Sequence, residues 1–284
     1  MKKRIRLTLQ RLIGNLFAGT FSSYMNALHG LEFDGIRQYQ AGDDCKAIDW
    51  KSTVKTGKLH VRMKFVDKRA TIIFVVDKSR SENFGSFILT KEEVQSAILF
   101  TLVRAASEAG NEVGFLTFAD RVENFIQPKV GEKEAMINAK NISQERTSGS
   151  CTDLHAAFTF LNEKILHPAL VFILSDFLAP YNYEQSLKTL SLLHEVVPVI
   201  VSDRMETALP HSNGFFMAQD METGSTKLLD ISAAQAESLP YINLLKKLNI
   251  DYISLLTDEN EEIWTKKISE FFDKRIRRGR RRRR

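Results

Sequence analysis

Oxygen-bearing side chains follow two apolar runs of this chain and occupy one loop between them. They are Asp77, Ser79, Ser81, Thr152 and Asp176. Carboxylate and hydroxyl oxygens, with no imidazole or thiolate among them, suit Mg²⁺, Mn²⁺ or Ca²⁺ better than Zn²⁺. If neutral hydroxyls contact the ion and carboxylates hold its waters, the ion keeps much of its charge. It would then seek an anionic sixth ligand, such as an acidic side chain of another protein.

The same residues have a second interpretation. Asp77, Ser79 and Ser81 taken alone are equally typical of a turn, in which the acid caps a helix and the serines bind the nearby backbone. The order of the whole set favours the metal interpretation. Asp77 and Asp176 each come directly after an apolar run, and the carboxyl ends of parallel strands form the edge where ligands bind in such sheets.

An alternation of strands and helices predicts how these side chains are positioned. Continuous apolar runs, such as the one within residues 70–77, are typical of strands buried on both faces. Strands are predicted over residues 70–77, 111–119, 121–128, 169–177, 196–203 and 251–256, and helices over 90–110, 132–143, 152–166, 183–195, 232–247 and 261–275. A hairpin is predicted within 214–230. The pattern predicts an α/β fold with a mostly parallel sheet and helices on both faces.

The first part of the chain lies outside this alternation. Residues 5–28 have a loosely helical apolar period, which predicts an amphipathic helix packed on the protein or lying on a membrane surface. Residues 30–69 are predicted to hold strands near 31–39 and 58–68, and no linker rich in Pro or Gly separates them from the sheet.

That uninterrupted connection predicts an extension packed against the sheet. Trp50 is expected to be buried in the junction, and Arg37 is expected to pair with an acid of the "GDD" or "IDW" stretch.

Composition narrows the class of protein. Hydrophobic residues make up 43% of the 284 residues, which is enough for a sizeable core, and the two cysteines lack paired spacing. The cysteine usage argues against a disulfide framework or a structural zinc site and indicates a reducing compartment.

The sequence also lacks the apolar segments of a membrane-spanning or secreted protein. Apolar runs stay well short of the ~20 residues that cross a bilayer. The basic start is followed by an apolar stretch that Arg6, Gln10 and Arg11 interrupt, whereas a signal peptide has an unbroken apolar centre. We therefore expect a cytoplasmic protein.

A basic tail ends the chain. Residues 274–284 hold nine cations and no acid, so removing them changes the formal net charge from +5 to −4. Such a tail is typical of a segment that binds nucleic acid, an anionic membrane or an acidic protein, and equally of a solvated chain end. The membrane interpretation would place the protein peripherally at the inner face of a membrane.

The order of acids and hydroxyls resembles the von Willebrand factor A domain and its metal-ion-dependent adhesion site. The five side chains named at the outset match its five positions one for one, and the order of elements over 70–275 matches as well. The resemblance implies a magnesium site that contacts an acidic residue on a protein partner. It also implies the fold of that domain.

The upstream stretch "EFDGIRQYQAGDDCKAIDW" resembles the signature of the domain-of-unknown-function family 58. The matching residues are Glu32, Phe33, Arg37, Tyr39, Gly42, Asp43, Asp44, Ile48, Asp49 and Trp50. Lys46 departs from the family's usual arginine, and Val54-Lys55 from its usual Ala-Arg; a lysine would hold a carboxylate less rigidly. Members of this family accompany MoxR-type AAA ATPases, so the resemblance implies such a partner.

These observations give one leading hypothesis and two alternatives. The leading one is a non-enzymatic, Mg²⁺- or Mn²⁺-dependent protein-binding module, an adaptor or client-recruiting partner of a MoxR-type ATPase without a small-molecule substrate. It would comprise an extension over 1–69 packed on the A domain, the A-like domain over 70–273 and the tail over 274–284. The alternatives are a polyanion-binding protein acting through the tail, and a metal-dependent hydrolase. No Walker loop, Ser-His-Asp order or Cys-His pair supports an enzyme.

Overall fold

Alternating strands and helices form most of the protein, as a computed structural model shows. The structure describes residues 36–40, 48–62, 69–85, 89–145, 151–180, 182–204, 215–219, 226–230 and 240–281. The strands are β1 (Ile36–Gln38), β2 (His60–Arg62), β3 (Thr71–Asp77), β4 (Glu112–Phe118), β5 (Val122–Val130), β6 (Leu170–Ser175), β7 (Glu195–Ser202), β8 (Phe215–Gln219), β9 (Thr226–Asp230) and β10 (Ile253–Leu256). The helices are α1 (Trp50–Thr56), α2 (Lys91–Glu108), α3 (Glu132–Gln144), α4 (Leu154–Lys164), α5 (Glu184–Leu193), α6 (Pro240–Lys247) and α7 (Glu261–Arg281), with a 3-10 helix at Arg80–Asn83.

The central sheet has six strands in the order β10-β7-β6-β3-β4-β5. Neighbouring strands are parallel except at the edge, where β5 runs antiparallel to β4. The predicted α/β fold with a mostly parallel sheet is therefore confirmed. From β3 the chain adds β4 on one side and later β6 on the other, so the strand order reverses at β3. Ligands bind at such a reversal, beyond the carboxyl ends of the strands.

The sheet is covered on both faces because successive side chains of a strand point to opposite sides. In β3, Ile72, Phe74 and Val76 face a layer formed by α2, α3 and α7. Ile73 and Val75 face the opposite layer, formed by α4, α5 and α6. All five side chains are buried, which explains why the sequence of β3 is a continuous apolar run.

The predicted elements agree with the structure to within a few residues at most ends. Helix α2 begins at a capping box in which Thr90 and Glu93 satisfy each other's backbone N–H groups. Asp153 caps α4 by accepting a hydrogen bond from the N–H of Ala156. Helix α7 continues past the predicted end at residue 275 to Arg281. The predicted helix over 5–28 lies outside the described residues, as do 63–68 and 231–239.

The segment before the sheet differs from the prediction at Trp50. Asp49 caps α1 by accepting hydrogen bonds from the N–H groups of Lys51 and Ser52, and Trp50 is the first residue of that helix. The indole is 64% exposed, and α1 has no buried residue. The prediction that Trp50 is buried in a junction is therefore wrong, because this cap places it on the outside of a short helix. The expected pairing of Arg37 concerns a side chain outside the described ones.

None of the described helices is both long enough and apolar enough to cross a membrane.

The two tryptophans of the chain provide a matched test of the core. Trp264 in α7 is fully buried, and its Nε1–H donates to the carbonyl of Leu256 at 3.0 Å. We expect Trp264→Ala to lower the free energy of unfolding by about 3–5 kcal/mol, as for other buried large aromatics. Trp50→Ala should change it by about 0.5 kcal/mol or less, as for other surface substitutions. Urea denaturation followed by circular dichroism measures both, and similar losses in the two variants would contradict this packing.

Candidate metal centre

The loop after β3 folds back on the acid that ends the strand. Asp77 is buried; its Oδ1 accepts a hydrogen bond from the N–H of Ser79 at 2.9 Å. Its Oδ2 accepts one from the hydroxyl of Ser175, at the end of the neighbouring β6, at 2.7 Å. The hydroxyl oxygens of Ser79 and Ser81 lie 3.0 Å apart. The alternating acid and hydroxyls therefore form one cluster of oxygen atoms.

Asp176 follows β6 directly and joins this cluster. Its side chain is fully buried, and its Oδ2 lies 2.6 Å from the ammonium nitrogen of Lys91, which is fully buried as well. Its Oδ1 accepts a hydrogen bond from the N–H of Leu178 at 2.9 Å. Carboxylate oxygens of Asp176 and Asp77 lie within 4.8 Å of each other. The structure thus brings together the two acids that the sequence places after separate strands.

Thr152 lies at the same edge of the sheet. It is buried, and the N–H of the next residue, Asp153, donates to the carbonyl of Ala119 at 2.7 Å. Ala119 follows β4, in which Phe118 pairs with Asp77 of β3. The loop that carries Thr152 is therefore fixed at the carboxyl ends of β3 and β4.

The backbone just after Asp176 has an unusual conformation. Phe177 has a φ of 60°, in the left-handed region that residues other than glycine rarely adopt. Its N–H donates to the hydroxyl of Ser175 at 3.1 Å, and its ring packs against Tyr183 and Tyr241. Such a conformation costs about 1–3 kcal/mol and persists only where its surroundings hold it. The turn leads the chain away and leaves the Asp176 carboxylate at the sheet edge.

A third acid of the cluster was not predicted from the sequence. Glu82, in the 3-10 helix, is 1% exposed, and its Oε1 accepts a hydrogen bond from the N–H of Asp176 at 3.2 Å. Oxygen atoms of Asp77, Glu82 and Asp176 all lie within 4.8 Å of one another. The sequence offers one signal for Glu82: it comes immediately after Ser81, which is a predicted residue of the metal site.

Lys91 was not predicted as a residue of this site either, although its position at the start of a helix is unusual for a lysine. It is the first residue of α2, where a positive charge opposes the helix dipole and so suggests another use. Its N–H donates to the carbonyl of Phe84 at 2.9 Å. Gly85 permits this close approach, because a Cβ there would lie 2.5 Å from the carbonyl oxygen of Leu89 and 2.7 Å from Cα of Thr90.

Two acids of the cluster, Asp77 and Glu82, have raised pKa values. Burial raises the pKa of Asp77 from its ordinary value of 3.8 to about 7, and the negative charge of Asp176 is the second cause. Burial also raises the pKa of Glu82 well above its ordinary value, with Asp176 and then Asp77 adding to the effect. A divalent cation would favour the ionised forms and displace these protons.

The residues present fit such an ion. The donors are carboxylate and hydroxyl oxygens, and Glu82 Oε2 is buried without a hydrogen-bond partner among the described residues. Three ionised carboxylates and the Lys91 ammonium leave a net charge of minus two, which one divalent cation would balance. The fold and this edge define an α/β protein with an acidic site at the carboxyl ends of its central strands.

The family is shown by comparison with known proteins. Residues 35–238 match DUF58, a family described as protein of unknown function, and this covers most of the chain. The chain belongs to DUF58, as the upstream motif indicated. The uncharacterized proteins Mb1516 of Mycobacterium bovis and Rv1480 of Mycobacterium tuberculosis are each 28% identical to it over 252 residues, which is 85% of this chain and 78% of each relative.

Several solved structures resemble the chain at low identity. BatB from Bacteroides thetaiotaomicron is 16% identical, with a TM-score of 0.49, and the match covers 73% of this chain and 99% of BatB. The SpRpn10 VWA domain is 8% identical, with a TM-score of 0.43 and coverage of 69% and 94%. A von Willebrand factor type A protein from Catenulispora acidiphila is 8% identical, with a TM-score of 0.41 and coverage of 73% and 43%. The fold class itself rests on the strand order.

The raised pKa of Asp77 predicts how the stability of the metal-free protein depends on pH. Between pH 3.8 and about 7 the folded chain holds a proton at Asp77 that the unfolded chain has lost, so stability falls as pH rises through this window. The asparagine in Asp77→Asn cannot ionise, so this variant should lack the part of the pH-dependent loss of stability that Asp77 causes. In chelator we expect it to be more stable than the wild type by about 1–4 kcal/mol at pH 8, with no such gain at pH 4. Urea denaturation across this range is the test, and parallel pH profiles would contradict it.

The buried pair of Lys91 and Asp176 predicts a large loss on removing the cation. In chelator, Lys91→Met should lower the free energy of unfolding by about 3–5 kcal/mol, because Asp176 stays buried without its partner. The double variant Lys91→Met/Asp176→Asn should recover much of the lost free energy of unfolding, because no unpaired charge is then buried. Lys247→Met is the control, since it and its partner Glu184 are both exposed and the pair should contribute about 1 kcal/mol or less. Equal losses in the two lysine variants, measured by urea denaturation, would contradict this assignment.

Proposed function

We propose that this protein is a non-enzymatic protein-interaction module that uses the carboxyl edge of its sheet, with Mg²⁺ or Mn²⁺ held there. The observation that carries the proposal is the convergence of two acids from separate strands on the hydroxyls of one loop. The residues that would hold the ion are Asp77, Ser79, Ser81, Thr152 and Asp176. When bound, the ion would supply positive charge to attract a carboxylate of a partner protein.

The hydroxyls and the acids contribute in different ways to this proposal. Ser79, Ser81 and Thr152 would offer neutral oxygens directly, and Asp77 and Asp176 would act through water. The acids are held in place before any ion binds, Asp77 by hydrogen bonds from Ser79 and Ser175 and Asp176 by Lys91. Little side-chain freedom would therefore be lost on binding.

The surface around the cluster supports an acidic protein partner. Arg80 is exposed on the loop that follows β3, and Leu178, just after Asp176, is 39% exposed. This cation would help to steer an acidic surface toward the site and speed its association. Leu178 adds apolar area beside the charged contact.

The identity of the partner follows from the family resemblance alone. We propose that it is a MoxR-type AAA ATPase and that this protein serves it as an adaptor or client-recruiting subunit in the cytoplasm.

Affinity capture tests the proposal. The tagged protein, with the MoxR-type ATPase of the same organism as prey, should retain it in Mg²⁺ and lose it in chelator. Asp77→Ala should weaken capture at least about tenfold, because a carboxylate that would hold the ion through water is lost. Asp120→Ala is the matched control, since this acid is exposed at the same edge but outside the cluster. Equal capture in Mg²⁺ and in chelator would contradict the proposal.

One observation favours a second candidate, a polyanion-binding function of the tail. Helix α7 continues to Arg281, so the first residues of the tail extend the last helix of the body. Arg275 belongs to the body, because it pairs with Glu195 and with Asp251 at 3.6 Å and lies over the ring of Phe271. A chain ending at residue 276 is therefore the right truncation. Capture that survives Asp77→Ala, falls steeply with salt and is lost in this truncation would favour the second candidate.

A further inference from the structure

We propose that Glu82 is an internal ligand of this metal site and takes the position that a partner's carboxylate would otherwise occupy. The site is then closed in the isolated protein, and a partner must displace Glu82 to reach the ion. This inference rests on the proposed function, because it concerns the same ion. It adds a regulation of the site that the five predicted residues do not provide.

The first observation is an unsatisfied oxygen atom. The side chain of Glu82 is 1% exposed, and its Oε1 accepts the hydrogen bond from Asp176 N–H. Its Oε2 is buried and has no hydrogen-bond partner in the described part of the chain. Leaving such a polar atom buried and unpaired is costly. A cation within the cluster would satisfy it.

The second observation is the spacing of the acids. The oxygen atoms of Asp77, Glu82 and Asp176 lie within 4.8 Å of one another. An ion whose waters are held by Asp77 and Asp176 would therefore lie within reach of the Glu82 carboxylate, which could replace one of those waters.

Charge gives the third argument. Lys91 already balances Asp176, with 2.6 Å between the ammonium nitrogen and Oδ2. Asp77 and Glu82 then carry the two negative charges that one divalent cation needs. No acid from a partner is required for neutrality. A tethered carboxylate also has a high effective concentration, so an external carboxylate would compete at a disadvantage.

The element that carries Glu82 is suited to being displaced. It is a single turn of 3-10 helix over Arg80–Asn83, held by backbone hydrogen bonds from Glu82 to Ser79 at 3.2 Å and from Phe84 to Ser81 at 3.1 Å. Short 3-10 turns have poor hydrogen-bond geometry and few bonds to break. Loosening the end of this turn would withdraw Glu82. Ser81, near the start of the turn, and the two aspartates at the strand ends would stay in place.

Mn²⁺ binding to the full-length protein tests this inference. Electron paramagnetic resonance measures free Mn²⁺, and water proton relaxation reports the waters on the bound ion. Glu82→Gln and the apolar Glu82→Leu should each weaken binding at least about tenfold, since a charged ligand is lost. Glu92→Gln is the matched control; this acid pairs with Lys78 outside the cluster and should leave binding unchanged.

Acetate serves as the probe for the vacated position. At Mn²⁺ saturation, the relaxation enhancement per bound ion should be higher in Glu82→Leu than in the wild type, because water replaces the carboxylate. Acetate should then lower it in Glu82→Leu and leave the wild type unchanged. Circular dichroism shows which variants fold, and either folded Glu82 variant suffices for the binding measurement.

The outcomes separate this inference from the proposed function. If both Glu82 variants bind Mn²⁺ like the wild type while Asp77→Asn does not, the internal ligand is wrong and the metal site stands. If acetate lowers relaxation equally in wild type and Glu82→Leu, the site is open and the inference fails. If the wild type binds no Mn²⁺ at millimolar concentration, the metal site of the proposed function fails as well.

Discussion

Asp77, Glu82 and Asp176 lie in the protein interior within 4.8 Å of one another, although like charges repel strongly where water is excluded. The surrounding elements are arranged to make this tolerable. The buried lysine at the start of α2 contacts one acid, and hydroxyl and backbone N–H groups from two strand ends and their loops contact the others. The sheet topology matters for the same reason, because the reversal of strand order at β3 puts β6 beside it and so brings the acids together.

The proposed metal-dependent interaction and the internal ligand Glu82 together explain how the negative charge of the three buried acids is balanced in each state of the protein. A metal-free cluster retains protons, a metal-bound cluster is electrically balanced within the chain, and a partner gains access only by competing with Glu82. On this account the partner meets a closed site rather than a permanently exposed cation. Specificity would then depend on what withdraws Glu82 from the ion, and the exposed Arg80 on the same turn is well placed for a first contact with an acidic surface.

Much of the fold could be predicted from the sequence, because strands buried on both faces leave continuous apolar runs, and β3 and β6 each end at or lead into an aspartate. The placement of Asp77 and Asp176 at one edge followed from those ends. Glu82 and Lys91 could not be found in this way, since one lies on a single 3-10 turn and the other begins a helix, where no periodicity marks a functional side chain. Trp50 was misplaced because the lack of a linker before the sheet suggested a packed junction, whereas the cap at Asp49 places the indole outside. Helix α7 outlasts its amphipathic pattern because arginine has a high helix propensity.

The left-handed backbone at Phe177 links the site to the layer beneath it. The ring of Phe177 is wedged against Tyr183 and Tyr241, which belong to the core on the α4–α6 face of the sheet. That packing holds the backbone at Phe177 in a conformation that it would otherwise leave. The aromatic contacts therefore help to keep Asp176, the preceding residue, in place beside β3. The orientation of the Asp176 carboxylate at the edge of the sheet thus depends on aromatic side chains packed on one face of that sheet.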